Sequence, residues 1–176
     1  MPGFVIHLAV GKVYEKNNQI NDIEKFEKGI IAPDLVGDKS KSHYGPASNS
    51  PDLNKFVQTN GMEDNYNEGY FLHLVTDYLF YNRFLKSWNP EIYEDYDRLN
   101  RRLMEKYGVV IPEEIQEIVK WKDGALSCLD EEEICQFIES VGKIKIRQIV
   151  LEKDDCQKQI ESEFIMAKEG DNEDTR

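Results

Sequence analysis

The stretch Gly69-Tyr-Phe-Leu-His73-Leu-Val-Thr-Asp77-Tyr-Leu-Phe-Tyr-Asn-Arg83-Phe-Leu85 decides the fold. Its apolar residues occupy nearly every side of a helix, and a helix that is apolar all round is buried. The segment therefore predicts a central helix within the longest apolar-rich run, Asn67 to Trp88. Two ionisable residues sit inside it. His73 and Asp77 are four apart and share one face. An ionised carboxylate in such surroundings is costly unless something compensates it. Arg83 lies six residues on and points elsewhere. A divalent cation held by imidazole and carboxylate would compensate, and the spacing suits it. A His–Asp hydrogen bond or a partner from another helix would also do so, and the pair alone leaves these readings open.

Outward from this segment the periodicity stays helical. Pro2 to Tyr14 reads as a helix with Ile6, Val10 and Val13 at helical spacing. Asn21 or Asp22 caps a second helix through Ile23, Phe26 and Ile30, expected to end at about Ala32 because Pro33 follows. Gly37 to Pro51 is a loop by composition. Asp52 opens a short helix with Leu53 and Phe56. Beyond Asn89-Pro90, residues Ile92, Tyr96, Leu99 and Leu103 define an amphipathic helix to Tyr107. Pro112 is expected to start a helix ending near Trp121, Asp130 to cap Glu131–Val141, and one long helix to run from Lys143 to Met166. The only β-branched run between turn residues is Val109-Val-Ile111, too short to support a sheet. The expectation is an all-α, single-domain helical bundle over residues 1–168, with a disordered tail over 169–176.

Composition narrows the partners. The 176 residues carry 34 acidic and 22 basic side chains, a formal net charge of -12. That balance opposes any broad contact with long nucleic acid or an anionic membrane surface, both of which need clustered Lys and Arg. No apolar run approaches a transmembrane span. The N-terminal Met1-Pro-Gly-Phe-Val-Ile-His7 has no basic segment and carries a histidine in its apolar stretch, so it makes a poor signal peptide and predicts a cytoplasmic chain. Cys128, Cys135 and Cys156 are odd in number, lack Cys-x-x-Cys spacing and read as free thiols.

All three histidines lie in the first half of the chain: His7, His43 and His73. His7 has Gly3 and Gly11 four residues to either side, so small residues flank the imidazole on one helix face and allow a helix or a ligand to approach. Asp34 follows Ala32-Pro33 in a turn setting, where a carboxylate commonly bonds local amides. His43 sits in the loop Lys41-Ser-His-Tyr-Gly45. Taken singly, each has an ordinary structural explanation. Taken together they form one ordered set of imidazoles and carboxylates, His7, Asp34, His43, His73 and Asp77. Such a set suits zinc or another divalent transition metal, and it contains no thiolate. Tyr66, Tyr70, Tyr78 and Tyr81 either line a pocket near His73 or pack in the core with bonded hydroxyls.

The order and settings of these residues resemble the zinc-dependent phospholipase C family, which is related to the single-strand-specific zinc nucleases. The matching pieces are His7 on the first helix, the Ala32-Pro33-Asp34 turn, the loop residue His43 and the His73-Leu-Val-Thr-Asp77 helix, over roughly the first 90 residues. The resemblance implies an all-helical fold, a metal cluster and hydrolysis of a phosphoester. It implies one metal site from Asp34, His43, His73 and Asp77, and a neighbouring site using His7 and sharing Asp77. It also makes Asp34 the candidate general base. The family continues with a further histidine and a His-x-x-x-Glu helix, and this chain has no histidine after His73. That third part of the cluster is missing unless acidic residues of the second half replace it. A small phosphoester is the substrate expected.

Two other readings compete. A metal-dependent phosphohydrolase with an adjacent His-Asp pair is also all-helical, but no such pair occurs here. A non-catalytic helical binding or scaffold protein would keep the site as a structural or vestigial one, with the acidic helices after Trp88 as a partner surface.

Overall fold

The backbones of the second and fifth helices meet at two glycines, and this crossing organises the molecule. A β-carbon at Gly29 would lie 2.1 Å from the Tyr66 carbonyl oxygen, and one at Gly69 would lie 2.0 Å from that of Phe26. Only glycine permits so close an approach. The computed structural model describes the backbone of residues 3–174 and the side chains of residues 3–169. Its helices are α1 (Phe4–Asn17), α2 (Ile23–Leu35), α3 (Lys39–Ser42), α4 (Leu53–Asn60), α5 (Asn65–Leu79), α6 (Ile92–Tyr107), α7 (Glu131–Gly142), α8 (Ile146–Glu152) and α9 (Cys156–Asp174). No strand occurs among the described residues, and the fold is all-α.

Helices α1 and α5 are the buried centre. Ten residues of α1, from Phe4 to Tyr14, are buried, as are ten of α5. Both lack a polar face, which is why they are covered by the other helices rather than by water. The amphipathic α6 and α7 pack on α1, and their polar faces are outside. Aspartates cap five of the α-helices of eight residues or more: Asp22, Asp52, Asp64, Asp130 and Asp155 each accept the backbone N–H three residues on. Each such cap contributes about 1 kcal/mol. No helix among the described residues is long and apolar enough to cross a membrane.

Several boundaries differ from the expected ones. Pro33 does not end α2; the helix runs through it to Leu35. A proline in the last turn forfeits one ladder bond, and the tight packing of α2 on α5 outweighs that loss. Asp34 is therefore on a helix rather than in a turn. The loop after Gly37 contains one helical turn, α3, started by the Asp38 carboxylate. Helix α5 gives way to a wider turn over Phe80–Phe84 and stops short of Trp88. The segment after Pro112 forms one tight turn, Glu113–Ile115, and then runs irregularly along α6. It fails as a helix because Ile115 is its only fully buried apolar anchor, while Ile118 and Trp121 stay exposed. The expected long C-terminal helix is two, α8 and α9. The Asn54 carboxamide of α4 accepts the N–H groups of Cys156 and Gln157 and starts α9 afresh. Helix α9 is described as far as Asp174; Met1, Pro2, Thr175 and Arg176 lie outside the described residues.

Candidate metal centre

The α2–α5 crossing brings the candidate ligands together. One turn beyond Gly69, the His73 imidazole meets the backbone of α2, and its Nδ1–H donates to the Ile30 carbonyl oxygen at 2.6 Å. Asp34 lies one turn further along α2. Asp77 lies one turn further along α5. Helix α1 adds His7, and the turn after α3 adds His43. All five side chains are fully buried.

The two carboxylates are shared among three imidazoles. Asp77 Oδ2 is 2.8 Å from His43 Nε2 and 3.2 Å from His73 Nε2, while its Oδ1 is 3.0 Å from His7 Nε2. Asp34 divides in the same sense. Its Oδ1 is 3.5 Å from His73 Nε2 and 3.7 Å from His43 Nε2, and its Oδ2 is 4.0 Å from His7 Nε2. One ligand atom from each of Asp34, His43, His73 and Asp77 can be chosen so that all lie within 4.8 Å of one another. The structure thus brings together every residue of the set read from the sequence. Gly11 makes room for the Ile30 side chain of α2 rather than for a ligand, and Gly3 faces Tyr96. No carboxylate of α6 to α9 joins the group among the described residues.

These residues pass a direct test for a cation. Seven buried side-chain polar atoms among the described residues lack a hydrogen-bond partner, and six of them are here: both nitrogens of His7, both oxygens of Asp34, His73 Nε2 and Asp77 Oδ1. Two of these atoms, His7 Nε2 and Asp77 Oδ1, lie 3.0 Å apart without the alignment of a hydrogen bond. His73 shows what a cation would change. Its Nδ1 proton is committed to Ile30, so in the neutral ring Nε2 presents a lone pair to two carboxylates. A cation between them converts that repulsion into attraction. Two other buried carboxylates of this chain are fully served. Asp95 accepts the N–H groups of Ser127, Cys128 and Leu129 and the Arg98 guanidinium. Glu68 is bonded by Tyr14, Asn65 and Arg147. Among the described residues, one unpartnered buried atom lies outside the cluster, Glu15 Oε1.

Electrostatics agree. Burial pushes the Asp77 carboxyl up, but the His73 charge, with the His7 and His43 rings beside it, holds it well below the ordinary carboxylate range. Asp34 is also held low, against its burial, chiefly by His73. Burial and then His73 lower the His7 pKa, which keeps that ring neutral. Burial opposes charge on His73 too, yet Asp34 and Asp77 raise its pKa to about 10. Without a metal, a proton on His73 is the cation that these carboxylates attract. The His7 ring stacks on His73 with centroids 3.6 Å apart and planes 5° from parallel. Two imidazolium rings would repel each other in that arrangement; neutral rings that ligate metal do not.

Surrounding groups orient the ligands. The Ser42 hydroxyl is 2.8 Å from His43 Nδ1. A hydroxyl donates or accepts, so it tolerates either tautomer of His43. Tyr70 donates its hydroxyl to the Ser42 carbonyl. Lys39 Nζ is 3.6 Å from Asp34 Oδ1 and donates to the carbonyls of Asp34 and Val36, each at 2.9 Å. These three residues were not singled out as site residues from the sequence, apart from Tyr70 among the four tyrosines. The one usable signal was Asp38, an N-cap residue ahead of Lys39-Ser-Lys-Ser42, which would turn that run toward the site. Of the other tyrosines, Tyr78 bonds Glu161 of α9, Tyr66 is exposed, and Tyr81 lines a cleft beside the centre.

Comparison of the chain with protein families, with curated proteins and with solved structures gives no match.

Proposed function

We propose that the chain is a metal-dependent hydrolase of a phosphoester, with zinc or another divalent transition metal held by Asp34, His43, His73 and Asp77. The observation that carries this reading is the gathering in one buried cluster of five unpartnered polar atoms that face one another, His7 Nε2, both Asp34 oxygens, His73 Nε2 and Asp77 Oδ1, all on residue types that ligate such metals. The divided carboxylates extend it. Asp77 Oδ2 and Asp34 Oδ1 serve the His43–His73 side, while Asp77 Oδ1 and Asp34 Oδ2 face His7, the place for a second ion.

When bound, the metal supplies an acidified water and positive charge against phosphoryl oxygens. The chain supplies the rest. Ile30 and Ser42 fix the two imidazoles through their Nδ1 atoms, as outer partners of metal ligands do. Asp34 is the buried carboxylate in contact with Lys39, whose own side chain lines the neighbouring cleft, and this reading gives it the proton of an attacking water. Its low pKa makes it a weak base, and ligation is its main role. The ordered likeness to the zinc-dependent phospholipase C family supports the same chemistry. A reducing compartment suits three free thiols, and the proposal keeps the chain in the cytoplasm.

The test is hydrolysis of bis(4-nitrophenyl) phosphate by zinc-loaded protein beside its His73→Ala variant. Turnover that is lost in the variant supports the enzyme. Metal bound at full stoichiometry with no turnover on any phosphoester supports the second reading, a helical binding protein with a structural metal. That reading has its own observation, since every ligand side chain is fully buried.

A further inference from the structure

Lys39 belongs to two places at once. Its ammonium touches the ligand Asp34, and its side chain lines a cleft of about 990 Å³. That volume is at the upper end of the range for small-molecule sites. One wall is built on the wider turn Phe80–Phe84, which carries Tyr81 one helical turn beyond Asp77. Such turns are frequent at functional sites. Asn82 donates to the Asn49 carbonyl at 3.1 Å, which ties this wall to the loop opposite.

The charge of the lining departs from the average of the chain. In a chain with net charge -12, the cleft carries Lys39 and Lys86 against one acid, Asp38. Asp38 is already engaged by the Ser40 N–H and hydroxyl. Trp88 and Tyr93 are also in the lining, 58 % and 50 % exposed. Their rings meet edge to face at 6.4 Å, and Tyr93 rests on the buried Tyr96 at 5.9 Å. Large aromatic rings kept in water beside two ammonium groups are suited to a ligand with an anionic end and a flat apolar end. Lys39 has three N–H donors and gives two to backbone carbonyls, which leaves one for that anion.

We infer that this cleft is the substrate site of the proposed hydrolase, that its substrate is a phosphoester bearing an aromatic group, and that Lys39 binds the phosphoryl anion while Trp88 and Tyr93 hold the ring. The inference rests on the metal-hydrolase reading and adds the class of substrate to it.

The experiment uses zinc-loaded protein in a Trp121→Phe background, so that Trp88 is the only indole. Phenylphosphonate and methylphosphonate, which are not hydrolysed, are titrated by calorimetry and by Trp88 fluorescence, with zinc content measured on each sample. Phenylphosphonate is expected to bind about three- to tenfold more tightly than methylphosphonate and to quench Trp88. A Trp88→Ala/Tyr93→Ala variant should erase that preference. Lys39→Met should weaken both ligands about tenfold, with zinc content unchanged, and Lys39→Arg should restore much of the loss. Equal affinity for the two phosphonates, or no effect of Lys39→Met, overturns the inference while zinc content and hydrolysis stand. Failure to bind zinc at all removes the hydrolase reading and this one with it.

Discussion

His73 donates its Nδ1 proton to the carbonyl of Ile30 at 2.6 Å, and this one bond commits its other nitrogen to the carboxylates of Asp34 and Asp77. It is possible only because α2 and α5 touch backbone to backbone at Gly29 and Gly69. The chain from sequence to site thus runs through two glycines, one carbonyl and one tautomer.

The crossing is the first thing to break. Gly69→Ala puts a methyl group 2.0 Å from the Phe26 carbonyl oxygen, a contact that backbone cannot relieve cheaply. Urea unfolding should show a loss of about 2 kcal/mol or more. Gly37→Ala, where nothing lies within 4 Å, is the control and should leave the midpoint nearly unchanged. Equal midpoints for both variants would show that the crossing is looser than described.

Ligand identity can be read from two variants of opposite expectation. His73→Ala should abolish bound zinc. The combined Cys128→Ser, Cys135→Ser and Cys156→Ser variant should keep it, because no thiol lies in the ligand group. Elemental analysis that found zinc in the first or none in the second would mean the ligands lie elsewhere.

His7 tests the divided carboxylates. Its Nε2 faces only Asp77 Oδ1 and the more distant Asp34 Oδ2. His7→Ala should therefore remove one ion and leave the His43–His73 ion in place, lowering zinc from two equivalents to one. Loss of all metal would instead make His7 part of a single site.

The pH dependence has a definite sign. In metal-free protein the His73 pKa stands at about 10, above its ordinary value of 6.5. Its contribution to stability is fully present below about 6.5 and is lost as pH rises through about 10. Asp34 and Asp77, held below their ordinary values, contribute above the usual carboxylate range and lose that contribution as pH falls below it. Metal replaces the His73 proton, so zinc-loaded protein should lack the alkaline decline. Urea midpoints at pH 7 and pH 10, with and without zinc, measure this; matching declines in both forms would contradict it.

Much of this was legible beforehand, and the failures have physical causes. The apolar run around His73 announced a buried central helix, and a buried His–Asp pair announced a need for compensation. The order of His7, Asp34, His43, His73 and Asp77 marked the residues that the fold gathers into one buried cluster. What sequence could not carry was non-local. Pro33 reads as a terminator until α5 is seen pressing α2 into place. The break before α9 has a local part, the Asp155 carboxylate that accepts the Lys158 N–H, and a distant one, the Asn54 carboxamide about a hundred residues away that accepts the Cys156 N–H. Lys39 reads as one lysine in a polar loop until α3 turns it back onto Asp34. The segment after Pro112 had helical spacing but no surface on which to bury Ile118 and Trp121.

The most direct measurement is the zinc content of protein purified without a histidine tag or chelator, with Asp77→Ala alongside. Asp77 lies closer than Asp34 to each of the three imidazoles, so it tests the centre most directly. At least one equivalent in the natural sequence, absent from the variant, is the result the account predicts. No metal in either protein, even after incubation with zinc or manganese, would contradict it and leave the cluster as a proton-bridged pair of buried carboxylates.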